Sequence, residues 1–239
     1  MVQAREQQDI LYSPVPRATI QEHVLEKLRE LILNGGIEPG RTVTVQSLSE
    51  AFGVSAMPVR EAMHRLVAEK ALTVVAGRSV GIPPLTAERL EDLRRVRVEI
   101  EGTAIKWATS LISPEDLAHL ESLIEEMDLA RVECDRARYL PANRDFHFTI
   151  YRAAASDALL TIIESLWLQI GPYISFLTAS NNWGTSAVEH RAMYTALKRR
   201  DQAAARRALQ ADIDGAASAL TRVLAVTKPQ GKTRSRRAG

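Results

Sequence analysis

A mainly α-helical chain in two parts is predicted: an N-terminal winged helix-turn-helix and a C-terminal all-α antiparallel helical bundle. Three observations predict it. Residues 48–66 read as two short helices about a tight turn at Gly53. Residues 72–81 read as a short β-hairpin. From Thr86 onward only helical periodicity occurs, with no strand pattern.

In the helix pair, Leu48, Ala51 and Phe52 share one face at helical spacing. Ser55 is a natural N-cap, since its hydroxyl can accept from a free backbone N–H. Pro58 falls in the first turn, where its missing N–H costs nothing. Val59, Met63 and Leu66 then point inward, leaving Arg60, His64 and Arg65 outside. A small turn followed by a basic, outward second helix is the plan for reading the DNA major groove. The bland alternative is a helical hairpin with a solvated charged face. Leu72-Thr73-Val74-Val75-Ala76-Gly77-Arg78-Ser79-Val80-Gly81 counts against it, being two β-branched runs about Gly77-Arg78. That hairpin is the wing, and its tip carries Arg78. Upstream, residues 19–33 supply a supporting helix with Ile20, Val24, Leu28, Leu31 and Ile32 on its apolar face, ended by Asn34-Gly35-Gly36. Pro39-Gly40 makes the next turn.

Ile82-Pro83-Pro84-Leu85 is the expected boundary, two prolines stiffening a short linker at 83–85. Six helices are expected after it. They cover residues 86–110, 113–135, 137–155, 158–177, 185–199 and 201–226, with Ser113-Pro114-Glu115-Asp116 a strong start signal. Pro141 is expected near the start of the third helix's main part, and Gly171-Pro172 is expected to kink the fourth. Short connections imply antiparallel neighbours. The expected division is an N-terminal disordered arm at 1–16, a winged helix at 17–82, a bundle at 86–227 and a disordered basic tail at 228–239.

Composition bounds the class. The chain has 239 residues, a net charge of +2 and one cysteine, Cys134. It is therefore no general polyanion binder, and Cys134 can form no internal disulfide, which fits a reducing compartment. A polar N-terminus without a signal peptide or membrane-length apolar run leads to an expected cytoplasmic location and no membrane partner. Residues 41–81 hold five basic and three acidic side chains. The tail holds Lys228, Lys232, Arg234, Arg236 and Arg237 and no acid. It is read either as a source of salt-dependent phosphate contacts or as a solvated tail.

One polar constellation carries chemistry. Asn143 and His147 are four apart and share a helix face. His190 and Asp212 lie at similar distances either side of the turn at Arg200-Asp201, so antiparallel helices bring them level. A polar quartet inside a bundle is how such folds build metal sites. Imidazole and carboxylate suit zinc, nickel or manganese. The other reading is a hydrogen-bonded cavity, or one that takes a ligand's carboxylate without metal. Gln169 and Tyr173, four apart, could line the cavity mouth. Trp167, Ile170 and Ile174 are core-spaced, and Trp183 is read as closing over a ligand or packing at a subunit contact.

Residues 17–82 resemble the winged-helix domain of the GntR family of bacterial transcription regulators. The resemblance rests on Leu33-Asn34-Gly35-Gly36-Ile37-Glu38-Pro39-Gly40, Leu48-Ser49-Glu50, Val54-Ser55, Pro58-Val59-Arg60-Glu61-Ala62 and the Gly77 turn. It implies DNA contacts at Gln46, Ala56, Arg60, Gly77 and Arg78. Ser55 and Met57 open the same helix, and Arg65 lies further along it. Gln46 and Ala56 stand where family members often carry Arg. Gln can read adenine and Ala can touch a thymine methyl, so the departure bears on operator sequence. The second half resembles the FadR-type, all-helical effector-binding (FCD) domain. Its carriers are Arg97-Val98-Glu99-Ile100-Glu101, Asn143-Arg144-Asp145-Phe146-His147, Glu189-His190-Arg191, Ala196-Leu197, and Asp201 leading into Asp212. That subfamily often has Asp and His where this chain has Asn143 and Asp212. The resemblance puts Arg97 in the cavity as a carboxylate clamp, whereas its plain reading is an i,i+4 pair with Glu101.

The expected function is a homodimeric, ligand-responsive regulator, a repressor, that binds palindromic double-stranded operator DNA and senses a small organic acid. Two other readings stand beside it. One is a metal-dependent hydrolase or lyase on His147, His190 and Asp212. The other is a DNA-binding protein with no effector.

Overall fold

The computed structural model describes residues 20–77, 79–179 and 186–227. The arm at 1–16 and the tail at 228–239 lie outside the described residues. The winged helix comprises α1 (Ile20–Leu33), β1 (Thr42–Thr44), α2 (Val45–Phe52), α3 (Ala56–Ala68), β2 (Thr73–Ala76) and β3 (Ser79–Gly81). The bundle comprises α4 (Ala87–Leu111), α5 (Pro114–Val132), α6 (Arg136–Ala153), α7 (Asp157–Ala179), α8 (Ser186–Lys198) and α9 (Gln202–Thr227). The fold class is as the sequence predicts.

Val24, Leu28 and Ile32 of α1 are buried, but Ile20 is exposed at the helix start. Gly35 ends α1 at φ +73°, and Gly36 N–H returns to the Leu31 carbonyl. The wing is a three-stranded sheet in the order β1-β3-β2, all antiparallel. Thr42-Val43-Thr44 is too short a run to register as a strand in the sequence. It forms one because Val43 pairs with Val80 across β3.

The bundle follows the expected helices with small shifts. α5 stops at Val132 rather than near 135, because Asp135 caps α6 by accepting from Arg138 N–H. Thr86, Ser113 and Asp201 cap the N-termini of α4, α5 and α9 as their sequence positions suggest. Pro141 lies inside α6. α7 continues through Gly171-Pro172 to Ala179. Gly171 serves a close approach instead: a Cβ there would lie 3.1 Å from Leu33 Cδ2 of α1.

Two apolar cores result. One lies within the bundle, around Ile105, Leu120, Phe146, Ile163 and Leu209. The other is shared: Leu28, Val59, Leu66 and Val80 of the winged helix pack in one cluster with Leu166, Ile170 and Tyr173 of α7 and Leu220 of α9. Ile82 and Leu85 of the crossing are buried in that cluster, while Pro84 is exposed. The Tyr173 hydroxyl donates to the Pro83 carbonyl. The proline-stiffened crossing is thus fastened to the bundle at Ile82, Pro83 and Leu85.

Candidate DNA-reading face and candidate metal centre

The reading head is set by local signals. Thr44 caps α2 in a reciprocal box with Ser47, and Gly53 turns the chain at φ +65°. Ser55 has N-cap geometry before α3, but its hydroxyl accepts no capping hydrogen bond. It is left exposed with Ala56, Met57, Arg60, His64 and Arg65. Pro58, Val59, Ala62, Met63 and Leu66 are buried beneath them. Of the turn residues, Leu48 is buried, while Ala51 faces out.

Gln46, Ala56, Arg60, His64 and Gly77 line one concave notch of about 850 Å³ between α2, α3 and the sheet. Ser55, Met57 and Arg65 lie outside it. Arg60 has no ion pair among the described residues. Arg65 sits 3.4 Å from Glu69, and Gln46 donates to Glu50 Oε1 at 3.0 Å. Arg78 and Trp183 lie outside the described residues. His64 was legible only as an outward residue of α3, and the fold turns it towards the sheet.

The polar constellation assembles in the bundle from five helices. Arg97 and Glu101 come from α4, Asn143, His147 and Tyr151 from α6, and Trp167 from α7. His190 comes from α8 and Asp212 from α9. All eight are buried. His147 Nε2 is 3.4 Å from Asp212 Oδ2, and His190 Nε2 is 3.7 Å from Asp212 Oδ1. The ligand atoms of His147, His190 and Asp212 fall within 4.8 Å of one another. Asn143 is one turn before His147 and buried.

Burial holds both imidazoles neutral. His147 is driven well below its ordinary range by burial, then by His190 and Arg97, and His190 is brought down to about 3 by burial. Burial lifts Asp212 to about 6 against the pull of Arg97 and a Ser186 hydrogen bond. At neutral pH the set is two neutral imidazoles and one carboxylate. His190 Nε2 is fully enclosed and has no hydrogen-bond partner among the described residues. A buried polar atom left so is costly, and a cation facing it and Asp212 would remove the cost. The donor set fits a first-row divalent ion.

Arg97 is otherwise engaged. Its Nε donates to Glu101 Oε1 at 2.6 Å and a second nitrogen donates to Oε2 at 3.2 Å. Burial pulls the guanidinium down, but Glu101 outweighs it and keeps Arg97 above its ordinary value. The clamp expected for a ligand's carboxylate is filled by the chain's own. Glu101 Oε2 also accepts from Tyr151 at 2.5 Å and from Trp167 Nε1 at 3.3 Å. Tyr151 OH lies 3.3 Å from His147 Nδ1, which ties this network to the histidines. Trp167, read as plain packing, is therefore a polar member of the cluster. Tyr151 was not singled out, although its place four residues after His147 was a usable signal.

Gln169 and Tyr173 are placed away from the cluster. Gln169 Oε1 accepts from Arg89 at 3.3 Å, and that guanidinium also donates to the Lys70 carbonyl after α3. With Tyr173 on Pro83, both face the winged helix rather than a cavity mouth. Two and six positions beyond Trp167 on a helix that crosses between the parts, they fall on the far side of the seam.

Among the described residues no helix is long and apolar enough to cross a membrane. The pattern of bacterial regulatory proteins of the gntR family matches residues 20–82, and that of the FCD domain matches residues 92–215. The HTH-type transcriptional regulator McbR of Escherichia coli is 32% identical over 155 residues, which are 65% of this chain and 70% of that protein. The gluconate operon transcriptional repressor of Bacillus subtilis is 26% identical over 175 residues, 72% of this chain and 70% of its own. The solved structure of E. coli McbR/YncC is similar with a TM-score of 0.75 at 28% identity, covering 87% of this chain and 97% of that one. The hydrolase or lyase reading falls away, because the matched family and these relatives are transcriptional regulators and not enzymes. The chain belongs to the gntR family of bacterial regulators, with a DNA-binding winged helix followed by an FCD domain.

Proposed function

We propose that the protein is a dimeric repressor whose helical domain senses a small organic acid through a divalent metal ion. The observation that carries the metal is the enclosed, unpartnered His190 Nε2 facing Asp212 beside His147. His147, His190 and Asp212 would hold the ion, with Asn143 one turn away. The ion would supply a Lewis-acid anchor for a ligand's carboxylate oxygen. That role falls to it because Arg97 is already paired with Glu101.

Gln46, Ala56, Arg60 and Gly77, gathered around one notch, form the proposed groove-reading set. Ser55, Met57 and Arg65 flank it, and Arg78, next to Gly77 in the sequence, is assigned to the same set from the family resemblance. α7 carries Trp167 of the cluster and Tyr173 of the seam, so a ligand that shifts α7 also shifts the winged helix.

Titration of zinc, nickel or manganese salts into chelator-stripped full chain tests the metal. About one ion per chain is expected, with His190→Ala weakening it at least a hundredfold, since even outer partners of a ligand cost about 10–100-fold. Protons compete for the donors. Asp212, at about 6, is the first to be lost, so occupancy falls as pH drops through about 6 and is retained above it. A wild-type chain that binds no ion, or a variant that binds as tightly, overturns the metal.

The dimer is supported by an apolar stripe on α4. Val96, Trp107 and Leu111 are 40%, 47% and 58% exposed and are spaced three turns and then one turn apart. Two copies meeting along this stripe would bury it and set two reading heads for a palindromic site. Sedimentation should show a wild-type dimer and a Trp107→Glu monomer of unchanged helix content. A monomeric wild type, or a variant that stays dimeric, removes this interface.

A further inference from the structure

We propose that Glu50 is a specificity-determining residue of the reading head: it holds the Gln46 amide turned so that it reads adenine, and it acts through Gln46 rather than on DNA itself. The inference rests on the reading of Gln46 as a base-contacting residue.

Gln46 and Glu50 stand four apart on α2, so their side chains rise from the same helix face. Both are exposed, and both line the notch with Arg60 and His64 of α3. Gln46 Nε2 donates to Glu50 Oε1 at 3.0 Å. The backbone beneath them is held at both ends. Thr44 caps α2 in its box with Ser47, and the Gly53 N–H closes the helix on the Glu50 carbonyl. The pair therefore stands on a fixed base.

Among the described residues that line the notch, Glu50 is the one acid. A carboxylate there repels the phosphates of any duplex, so it weakens binding to DNA of every sequence. Arg60 lines the same notch and makes no ion pair among the described residues. The carboxylate thus does not serve to neutralise the recognition helix; its partner is Gln46.

What that partner gains is an orientation. A free glutamine amide can turn over, exchanging its carbonyl and its NH2. In the major groove adenine presents N7, an acceptor, and the N6 amino group, a donor. To read both, Gln46 must set Nε2 on N7 and Oε1 on N6. The turned-over amide sets oxygen against N7 and is repelled. A carboxylate only accepts, so Glu50 takes one Nε2 hydrogen and selects against the turned-over form. The second Nε2 hydrogen and the whole of Oε1 stay free for the base.

The test selects duplexes from a pool with randomised half-sites, using the full chain as wild type, Gln46→Ala, Glu50→Ala and the double variant. Affinities are then measured for the selected site and its single-base changes. The position that Gln46 reads is the one whose preference changes in Gln46→Ala. Wild type should prefer adenine there by about 5- to 150-fold, the range for a bidentate contact. Glu50→Ala should lower that preference by about two- to tenfold, the worth of holding one flexible side chain in place, and should leave the other positions unchanged. It should also bind mixed-sequence duplex about two- to threefold more tightly, as the repulsion is gone. The double variant should show the preference of Gln46→Ala alone, because Glu50 acts through Gln46. An unchanged preference in Glu50→Ala, binding weakened to all sequences alike, or a double variant that loses more than Gln46→Ala overturns the role of Glu50 and leaves Gln46 as a reader. A base other than adenine at that position overturns the orientation. A selection in which Gln46→Ala shifts no position overturns both readings.

Discussion

Replacing Glu101 with alanine is expected to destabilise the chain by about 3–5 kcal/mol, the range for removing one partner of a buried ion pair. Glu101 is fully enclosed and Arg97 nearly so. Without the carboxylate the guanidinium stays charged in an apolar bundle, since Arg cannot neutralise itself by losing a proton. Two neutral donors are stranded at the same time, the Tyr151 hydroxyl and the Trp167 indole N–H. Glu101→Gln separates these effects, because its carbonyl can still accept from Tyr151 while the charge is gone. The paired change Arg97→Met with Glu101→Leu should recover most of the loss, as apolar replacements of whole buried pairs commonly do. Urea denaturation of the four proteins measures the difference. A Glu101→Ala chain within about 1 kcal/mol of wild type would mean that water or another group reaches Arg97, against the enclosure described.

Gly35→Ala should cost about 2–5 kcal/mol, from two sources at one position. At φ +73° any Cβ is strained, by about 1–2 kcal/mol. The Cβ would also lie 2.8 Å from Ser175 Cβ on α7, and closer still to the hydroxyl, so the helix must move. Overpacking of that kind adds about 1–3 kcal/mol. Gly40→Ala is the internal control: φ is +86°, with nothing within 4 Å of the added carbon. It should lose only the strain. The gap between the two variants, read as melting temperature at about 2–4 °C per kcal/mol for a chain of this size, measures how tightly α1 rests on α7. Equal losses would show that the seam yields freely.

Much of this molecule was legible in residue order. Helix periods, the caps at Thr86, Ser113 and Asp201 and the Gly53 turn place nearly every element, because those signals act within a few residues. The pairing of His190 with Asp212 was also legible, since a turn between two helices fixes which residues come level, as was the shared face of Asn143 and His147. What was not legible depended on partners far away in sequence. Thr42-Val43-Thr44 becomes a strand only because β3 arrives 37 residues later to pair with it. Gln169 and Tyr173 read as cavity residues from their shared helix face. Which neighbour that face meets was decided by Arg89 in the first turn of α4 and by Pro83 on the crossing. Arg97 had two partners to choose from in the sequence, a ligand or Glu101. In the structure it pairs with Glu101, one turn along its own helix.

The shared core has a consequence for how such regulators can be recombined. The family pattern divides at residues 82 and 92, which suggests that DNA-binding heads could be exchanged among relatives by joining sequences near Pro83-Pro84. In this chain a graft cut there would set a foreign head onto Leu166, Ile170, Tyr173 and Leu220, side chains shaped to its own α1 and sheet. Gly35 against Ser175 and Gly171 against Leu33 leave little room for a different surface. A hybrid that works would have to carry the facing residues of α7 and α9 along with the head. The unit of inheritance is then the reading head together with the strip of bundle it rests on, and the connecting peptide marks a change of direction rather than a place to cut.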